Sequence, residues 1–170
     1  MADGEKRACA ELRALRAQEI SPTSQLLALN NAHATELSFL ESDEMQAMIG
    51  EACVALCTDD GSAFLLAFDQ AADYRSPNFL WFRERFDRFV YVDRICVAPE
   101  QRGRGIARHF YEAVFEHART SGAGRVVCEV NEDPPNPASD AFHAALGFKE
   151  VGSASLGDRG KRVRYFERTV

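Results

Sequence analysis

Val92-Asp93-Arg94-Ile95-Cys96-Val97-Ala98-Pro99-Glu100-Gln101-Arg102-Gly103-Arg104-Gly105-Ile106-Ala107 is the segment from which the rest of the chain can be read. Phe89 to Val97 reads as a strand, and Pro99 stops it. A loop with two glycines follows and leads directly into Ile106–Ser121, which reads as a helix. There Phe110, Val114 and Ala118 repeat every four residues, flanked by Ile106, Tyr111 and Phe115. Glu112, Glu116 and Arg119 fall on the wetter side, and Gly122 sits where a C-terminal cap belongs. A helix N-terminus presents unpaired N–H groups and the positive end of the helix dipole. Small residues beside it let an anion approach the backbone closely. The segment therefore predicts anion binding, and phosphate is the anion it suits.

Three phosphate-binding loops compete for this segment. A P-loop ends in Gly-Lys-Ser/Thr, whereas Gly105 is followed by Ile106-Ala107, which supplies neither a lysine nor a magnesium-binding hydroxyl. A dinucleotide loop, G-x-G-x-x-G/A, begins correctly at Gly103 and Gly105, and Glu129 lies at a tolerable distance for a ribose contact. Its third small position falls on Arg108, which would obstruct close helix–strand packing. The acyl-CoA loop, Q/R-x-x-G-x-G/A, is satisfied throughout by Arg102-Gly103-Arg104-Gly105-Ile106-Ala107.

Downstream, Val126 to Val130 reads as a strand. Pro134-Pro135-Asn136-Pro137 then opens a helix with Asn136 as N-cap and a core face of Ala138, Ala141, Phe142, Ala145 and Leu146, which Gly147 ends. Residues 148–154 and 162–169 read as two closing strands around a Gly157–Gly160 turn. Upstream, two apolar runs, 52–57 and 63–68, flank Asp59-Asp60-Gly61 and predict a β-hairpin. Residues 73–88 interleave aromatic and charged side chains without a clear period, and core packing is their default reading. Ser42 or Asp43 caps a short helix that Gly50 ends. Ser21 and Pro22 start another, with Leu26, Leu29 and Ala32 or His33 at helical spacing. Residues 8–16 fit a strand or a short helix. The order predicts an α/β fold, one domain with a central mixed sheet.

The chain has 170 residues and a formal charge of −6, a balance that argues against nucleic acid as the main partner. It leaves a local basic patch at Arg102, Arg104 and Arg108. No apolar run approaches a membrane span, and Met1 to Arg7 carries no apolar signal core, so neither membrane nor secretion is expected. The five cysteines, Cys9, Cys53, Cys57, Cys96 and Cys128, are odd in number and form no CxxC pair. They read as packing residues in a reduced, cytoplasmic setting. His33, His109 and His117 show no metal-ligand spacing with nearby Cys or Asp, so no metal is expected. The runs Glu5-Lys6-Arg7 and Lys161-Arg162 read as solvated surface.

The loop, the strand Ile95-Cys96-Val97-Ala98-Pro99 and the run Asn136-Pro137-Ala138-Ser139-Asp140-Ala141-Phe142-His143-Ala144-Ala145-Leu146-Gly147-Phe148 together resemble the GNAT (Gcn5-related N-acetyltransferase) superfamily. The resemblance covers residues 89–151 by motif and the first 88 by element order. It implies a single domain over 1–170 whose mixed, mostly antiparallel sheet has splayed fourth and fifth strands and flanking helices. It also implies transfer of an acetyl group from acetyl-CoA to a primary amine by direct attack. By similarity, backbone groups of Ile95, Cys96 and Val97 bind the pantetheine arm, and the Val97 N–H faces the thioester oxygen. Amides from Arg102, Gly103, Arg104, Gly105, Ile106 and Ala107 hold the pyrophosphate, with the two arginine side chains adding charge. Asn136 reaches the pantetheine arm. His143, beside Ser139 on the flank of its helix, stands where the family carries a tyrosine that protonates the departing thiolate; the competing reading is an N–H donor to backbone or to CoA, and both Ser139 and His143 are expected to contact the cofactor.

Asp93 alternates with Ile95 and Val97, which puts the three on one face of the strand. It lies where several family members carry the base for the amine; the competing reading is a salt bridge to Arg94 or Arg88. The competing functions are an acyl-CoA sensor without turnover and, behind it, a dinucleotide-binding oxidoreductase. The expected partner is a small-molecule or peptide amine, and the aromatic segment and closing strands are compatible with a homodimer. Residues 21–50 and 73–88 are expected to shape the acceptor site, although no motif in them names the acceptor.

Overall fold

A computed structural model describes residues 10–157 and 160–170. Cys9, the Glu5–Arg7 run and the middle of the Gly157–Gly160 turn lie outside the described residues. One seven-stranded sheet runs in the order β1 (Leu12–Ala14), β2 (Val54–Thr58), β3 (Ala63–Asp69), β4 (Val90–Val97), β5 (Arg125–Asp133), β7 (Lys161–Thr169), β6 (Lys149–Leu156). Every neighbouring pair is antiparallel except β4–β5. The helices are α1 (Gln25–Ala32), α2 (Ala34–Leu37), α3 (Ser42–Glu51), α4 (Pro77–Arg83), α5 (Ile106–Thr120) and α6 (Pro137–Ala145). Among the described residues, no helix is long and apolar enough to cross a membrane. The four described cysteines are free thiols.

The sheet is covered on both faces. On one, Leu26, Met45, Ile49, Phe79 and Phe82 from α1, α3 and α4 pack on Phe64, Leu66, Phe68 and Tyr91. On the other, the apolar stripe of α5 (Phe110, Tyr111, Val114 and Ala118) packs on Leu65, Val90, Val92, Val126 and Cys128. Each fully buried large side chain of this kind contributes about 1.5–3 kcal/mol. The burial holds β4 and β5 in place even though they share little ladder. Their pairing is limited to Val90↔Val126 and Tyr91↔Val127, beyond which the two strands diverge.

A bulge in β4 overturns one expectation from simple alternation. Leu66 pairs with Arg94 but Ala67 pairs with Val92, so Asp93 is an extra residue in the strand. Ile95 and Val97 pack toward the α5 core with Val92, whereas Cys96 packs toward the opposite core with Tyr91. The inserted residue resets the alternation, and Asp93 does not share a face with Ile95 and Val97.

Local start and stop signals need four corrections. Ser21-Pro22 forms a turn closed by Ser24 N→Ser21 O (3.0 Å), and α1 begins after Ser24. Glu41 caps α3, because Glu44 accepts from the Glu41 N–H (2.8 Å), and the helix continues through Gly50 to Glu51. Within the aromatic 73–88 segment lies α4, capped by Ser76 Oγ accepting from Phe79 N (3.1 Å) with Pro77 at the first helical position. In α6 the Asn136 cap and Pro137 stand as read, but the inward face is different: Ala138, Ala141 and Ala145 are exposed, while His143 and Leu146 are buried. The rings of Tyr111, Phe142 and Phe148 surround the imidazole edge-on, and burying that ring removes more surface from water than burying methyl groups would.

Candidate active site

Where β4 and β5 part, a cavity of about 660 Å³ opens between them, walled by the 101–108 loop, α6 and the α1–α2 junction. At one end Gly103 (φ +74°) and Gly105 (φ +83°) hold left-handed backbone conformations that favour glycine, and the space above both is open. The first helical bond of α5 is His109 N→Gly105 O (3.0 Å), so the Ile106, Ala107 and Arg108 amides have no partner within the helix. With the exposed Arg102, Arg104 and Arg108, these groups form a cradle suited to a pyrophosphate.

The β4 edge facing the gap can be assigned atom by atom. Ala98 N donates to Ser62 O beside β3 (2.8 Å), so by alternation the Cys96 backbone also points to β3. Ile95 and Val97 turn their N–H and C=O groups into the gap. The expectation that Cys96 offers backbone bonds there is therefore corrected, although Cys96 is among the residues that line the cavity. Arg102 confirms the direction, since its Nε donates to Val97 O (3.1 Å). Its Nη2 lies 2.8 Å from His33 Nε2. His33 Nδ1 is 3.0 Å from Leu29 O, an obligate acceptor, so Nδ1 carries the proton and Nε2 accepts from Arg102. His33 is a satisfied histidine, as expected, and it ties the α1–α2 junction to the loop.

The other end is acidic. Asp93 Oδ1 accepts from Tyr74 Oη (2.7 Å) and lies 3.2 Å from Tyr91 Oη, and Oδ2 accepts from Arg94 Nε (2.8 Å). Arg94 is buried and also donates to Asn30 Oδ1 (2.8 Å). Of the two arginines considered as partners of Asp93, it is Arg94 that pairs; Arg88 donates to Ser121 O instead (2.6 Å). Across the gap on β5, Glu129 Oε1 accepts from Asn78 Nδ2 (2.9 Å) and lies 3.1 Å from Tyr91 Oη, whose one proton serves either this carboxyl or Asp93. Its Oε2 is buried without a hydrogen-bond partner among the described residues. Burial, and next the nearby Asp93 charge, push the Glu129 carboxyl up to about 8.

His143 borders the cavity but is only 4% exposed. Its Nδ1 lies 2.8 Å from Ser139 O and 3.2 Å from Ser139 Oγ, and its Nε2 lies 2.7 Å from Tyr111 Oη. The Ser139 carbonyl can only accept, so the proton sits on Nδ1 and Nε2 accepts from the tyrosine. Burial lowers the imidazole's affinity for a second proton. Asn136 uses its Oδ1 on the Ser139 amide (3.2 Å), leaving its Nδ2 to donate elsewhere.

The model of the acetyltransferase (GNAT) family matches residues 26–148. The chain belongs to this family. Family membership makes it an acyl-CoA-dependent N-acetyltransferase. No curated protein matches. Among solved structures, it is similar to nourseothricin acetyltransferase at 25% identity and a TM-score of 0.50, over 68% of this chain and 62% of that one. It is also similar to a chain of the NatC complex bound to Gag peptide and CoA, at 10% identity and a TM-score of 0.72 over 96% and 99%. A third similarity is to yncA from Salmonella typhimurium, solved with its cofactor acetyl-CoA, at 16% identity and a TM-score of 0.66 over 95% and 94%. The last two likenesses concern the fold. The gap, the glycine cradle and the loop arginines of this GNAT chain fit acetyl-CoA as co-substrate.

Sequence reasoning considered Glu129 only for a ribose contact and passed over its neighbours Tyr91 and Asn78, and Tyr111 beside His143. One signal was available: Glu129 is the sole charged residue within the apolar run Val126–Val130.

Proposed function

We propose that this chain acetylates a primary amine of a small molecule or peptide by direct attack on acetyl-CoA, with Glu129 as the group that takes the amine proton. One observation carries the proposal. Glu129 lines the cavity that ends in the glycine cradle, and its Oε2 is a buried carboxylate oxygen without a partner among the described residues. A carboxyl held at about 8 is matched to base catalysis near neutral pH. Acetyl-CoA supplies an activated acetyl thioester when bound.

The Ile106–Arg108 amides and Arg102 hold the anionic end. The Val97 N–H, turned into the gap, is the donor for the acyl oxygen. Asn136 Nδ2 offers a further hydrogen bond to the arm. Asp93, the sequence candidate for the base, is held by Tyr74 and Arg94 and takes a supporting role: its charge beside Glu129 favours proton capture there. His143 has both nitrogens engaged and holds the α5–α6 wall rather than acting as an acid.

The test is an acetyl-transfer screen across amino acids, polyamines, aminoglycosides and peptide N-termini, run on the wild type and Glu129→Gln. The proposal expects turnover with at least one amine and loss of that turnover in the variant. Tight acetyl-CoA binding with no acyl transfer to any amine would favour a sensor instead.

A further inference from the structure

Glu129 has two oxygens, and the fold treats them differently. Oε1 accepts from Asn78 Nδ2 (2.9 Å) and lies 3.1 Å from Tyr91 Oη, whose single proton it shares with Asp93 Oδ1, while Oε2 has no partner among the described residues. The Asn78 amide points one way because Tyr165 Oη donates to its Oδ1 (3.0 Å). Flipped, the amide would set a carbonyl oxygen against a carboxylate. Tyr165 is itself fixed by Trp81 of α4, which stacks on it with centroids 4.2 Å apart. Trp81 fits there because Gly152, which pairs with Tyr165 across β6–β7, has no side chain: a Cβ would lie 2.5 Å from the indole. The order of support therefore runs from Gly152 through Trp81 and Tyr165 to Asn78, and ends on one oxygen of Glu129.

From this arrangement we infer that Asn78 and Tyr165 are positioning residues for the acetyl-transfer reaction. They pin Glu129 Oε1 so that the amine proton passes to Oε2 alone. The inference rests on the reading of Glu129 as the base. In the step, the N–H bond of the amine breaks, its electron pair stays on nitrogen, and the proton forms an O–H bond at Oε2. The acetyl group passes to nitrogen as sulfur leaves. The bonds at Oε1 favour the ionised carboxylate, so they keep Glu129 able to accept a proton near neutral pH. The other ionisable groups acting on Glu129 or its neighbours are Asp93 and Tyr91 from β4, Tyr74, Cys128 on β5, Tyr111 from α5 and Tyr165 from β7, and the cation Arg85 acts on Tyr165. Arg94 is spent on Asp93. Asn78, together with the hydroxyl that Tyr91 shares with Asp93, is thus a neutral donor that offsets the Asp93 charge.

Asn78→Ala and the nearly isosteric Tyr165→Phe test this in the full chain by two readouts. In ¹³C NMR of protein labelled at glutamate carboxyls, with the Glu129 signal assigned through Glu129→Gln, both variants should titrate higher than wild type by about one pH unit. In pH–rate profiles, kcat/KM at pH 7 should fall by about tenfold and approach wild type above about pH 9.5, with the acetyl-CoA KM unchanged. An unmoved Glu129 titration in either correctly folded variant overturns the inference. So does an equal loss at every pH, which would mark a structural role. If Glu129→Gln keeps full turnover, the base reading fails on its own, and the NMR titration still decides whether Asn78 and Tyr165 set the protonation of Glu129.

Discussion

Replacing Glu129 by glutamine should move stability and activity in opposite directions as pH rises. The carboxyl sits at about 8 in the folded chain against an ordinary 4.5. A carboxyl with a raised folded value supports the fold only while protonated: the contribution is intact below 4.5 and is lost progressively as pH climbs toward 8. The linkage relation puts the cost to the wild-type fold at about 2 kcal/mol at pH 6, about 3 at pH 7 and nearly 5 at pH 9. Glutamine cannot ionise. Its NH₂ takes the place of an oxygen without a partner, at a pH-independent cost of about 1–3 kcal/mol. The stability difference between variant and wild type should therefore shift toward the variant by about 3 kcal/mol from pH 6 to pH 9, or on the order of 5–10 °C in Tm. Urea unfolding of both proteins at pH 6, 7.5 and 9 measures it. Over the same range kcat should fall by about 10²–10⁴-fold in the variant. Stability curves that run parallel in pH would refute the premise that a costly carboxylate is buried here for its chemistry.

Three further outcomes follow from the same geometry. Asp93→Asn leaves the buried Arg94 guanidinium without its counter-charge, which should cost about 3–5 kcal/mol in urea unfolding. The same change should move the acid limb of the pH–rate profile to lower pH, because a like charge near Glu129 is removed; a limb that stays in place would mean the two carboxyls do not interact. His143→Gln should lose less than about tenfold in kcat while destabilising the chain by about 1–3 kcal/mol through the stranded Tyr111 hydroxyl, and a loss of hundredfold or more would restore an acid role to the histidine. Gly105→Glu, at φ +83° in the cradle, should abolish acetyl-CoA binding in calorimetry through strain and repulsion of the phosphates, whereas normal affinity in a folded variant would place the phosphates elsewhere.

The sequence by itself carried whatever depends on neighbours along the chain. The β4–loop–α5 transition, the Asn136 cap and the α5 stripe are set by glycine conformation, helix ends and a repeat of 3.6 residues, all within a few positions of one another. These were enough for the family, the glycine loop ahead of α5 and the mixed sheet. Other features arise from contacts between distant segments, and only the tertiary structure decided them. The bulge that turns Asp93 away from Ile95 and Val97 exists only against the partner strand β3. α4 escaped notice because Phe79 and Phe82 face the sheet core, Trp81 serves β7 and Asn78 serves Glu129, so its sequence shows no single apolar stripe. His143 looked available as an acid until the Ser139 carbonyl and Tyr111 hydroxyl fixed its tautomer. The proposed transfer of the base role from Asp93 to Glu129 has the same reason. A carboxylate's proton affinity depends on burial and on the donors around it, and these come from residues such as Asn78, 51 positions away from Glu129.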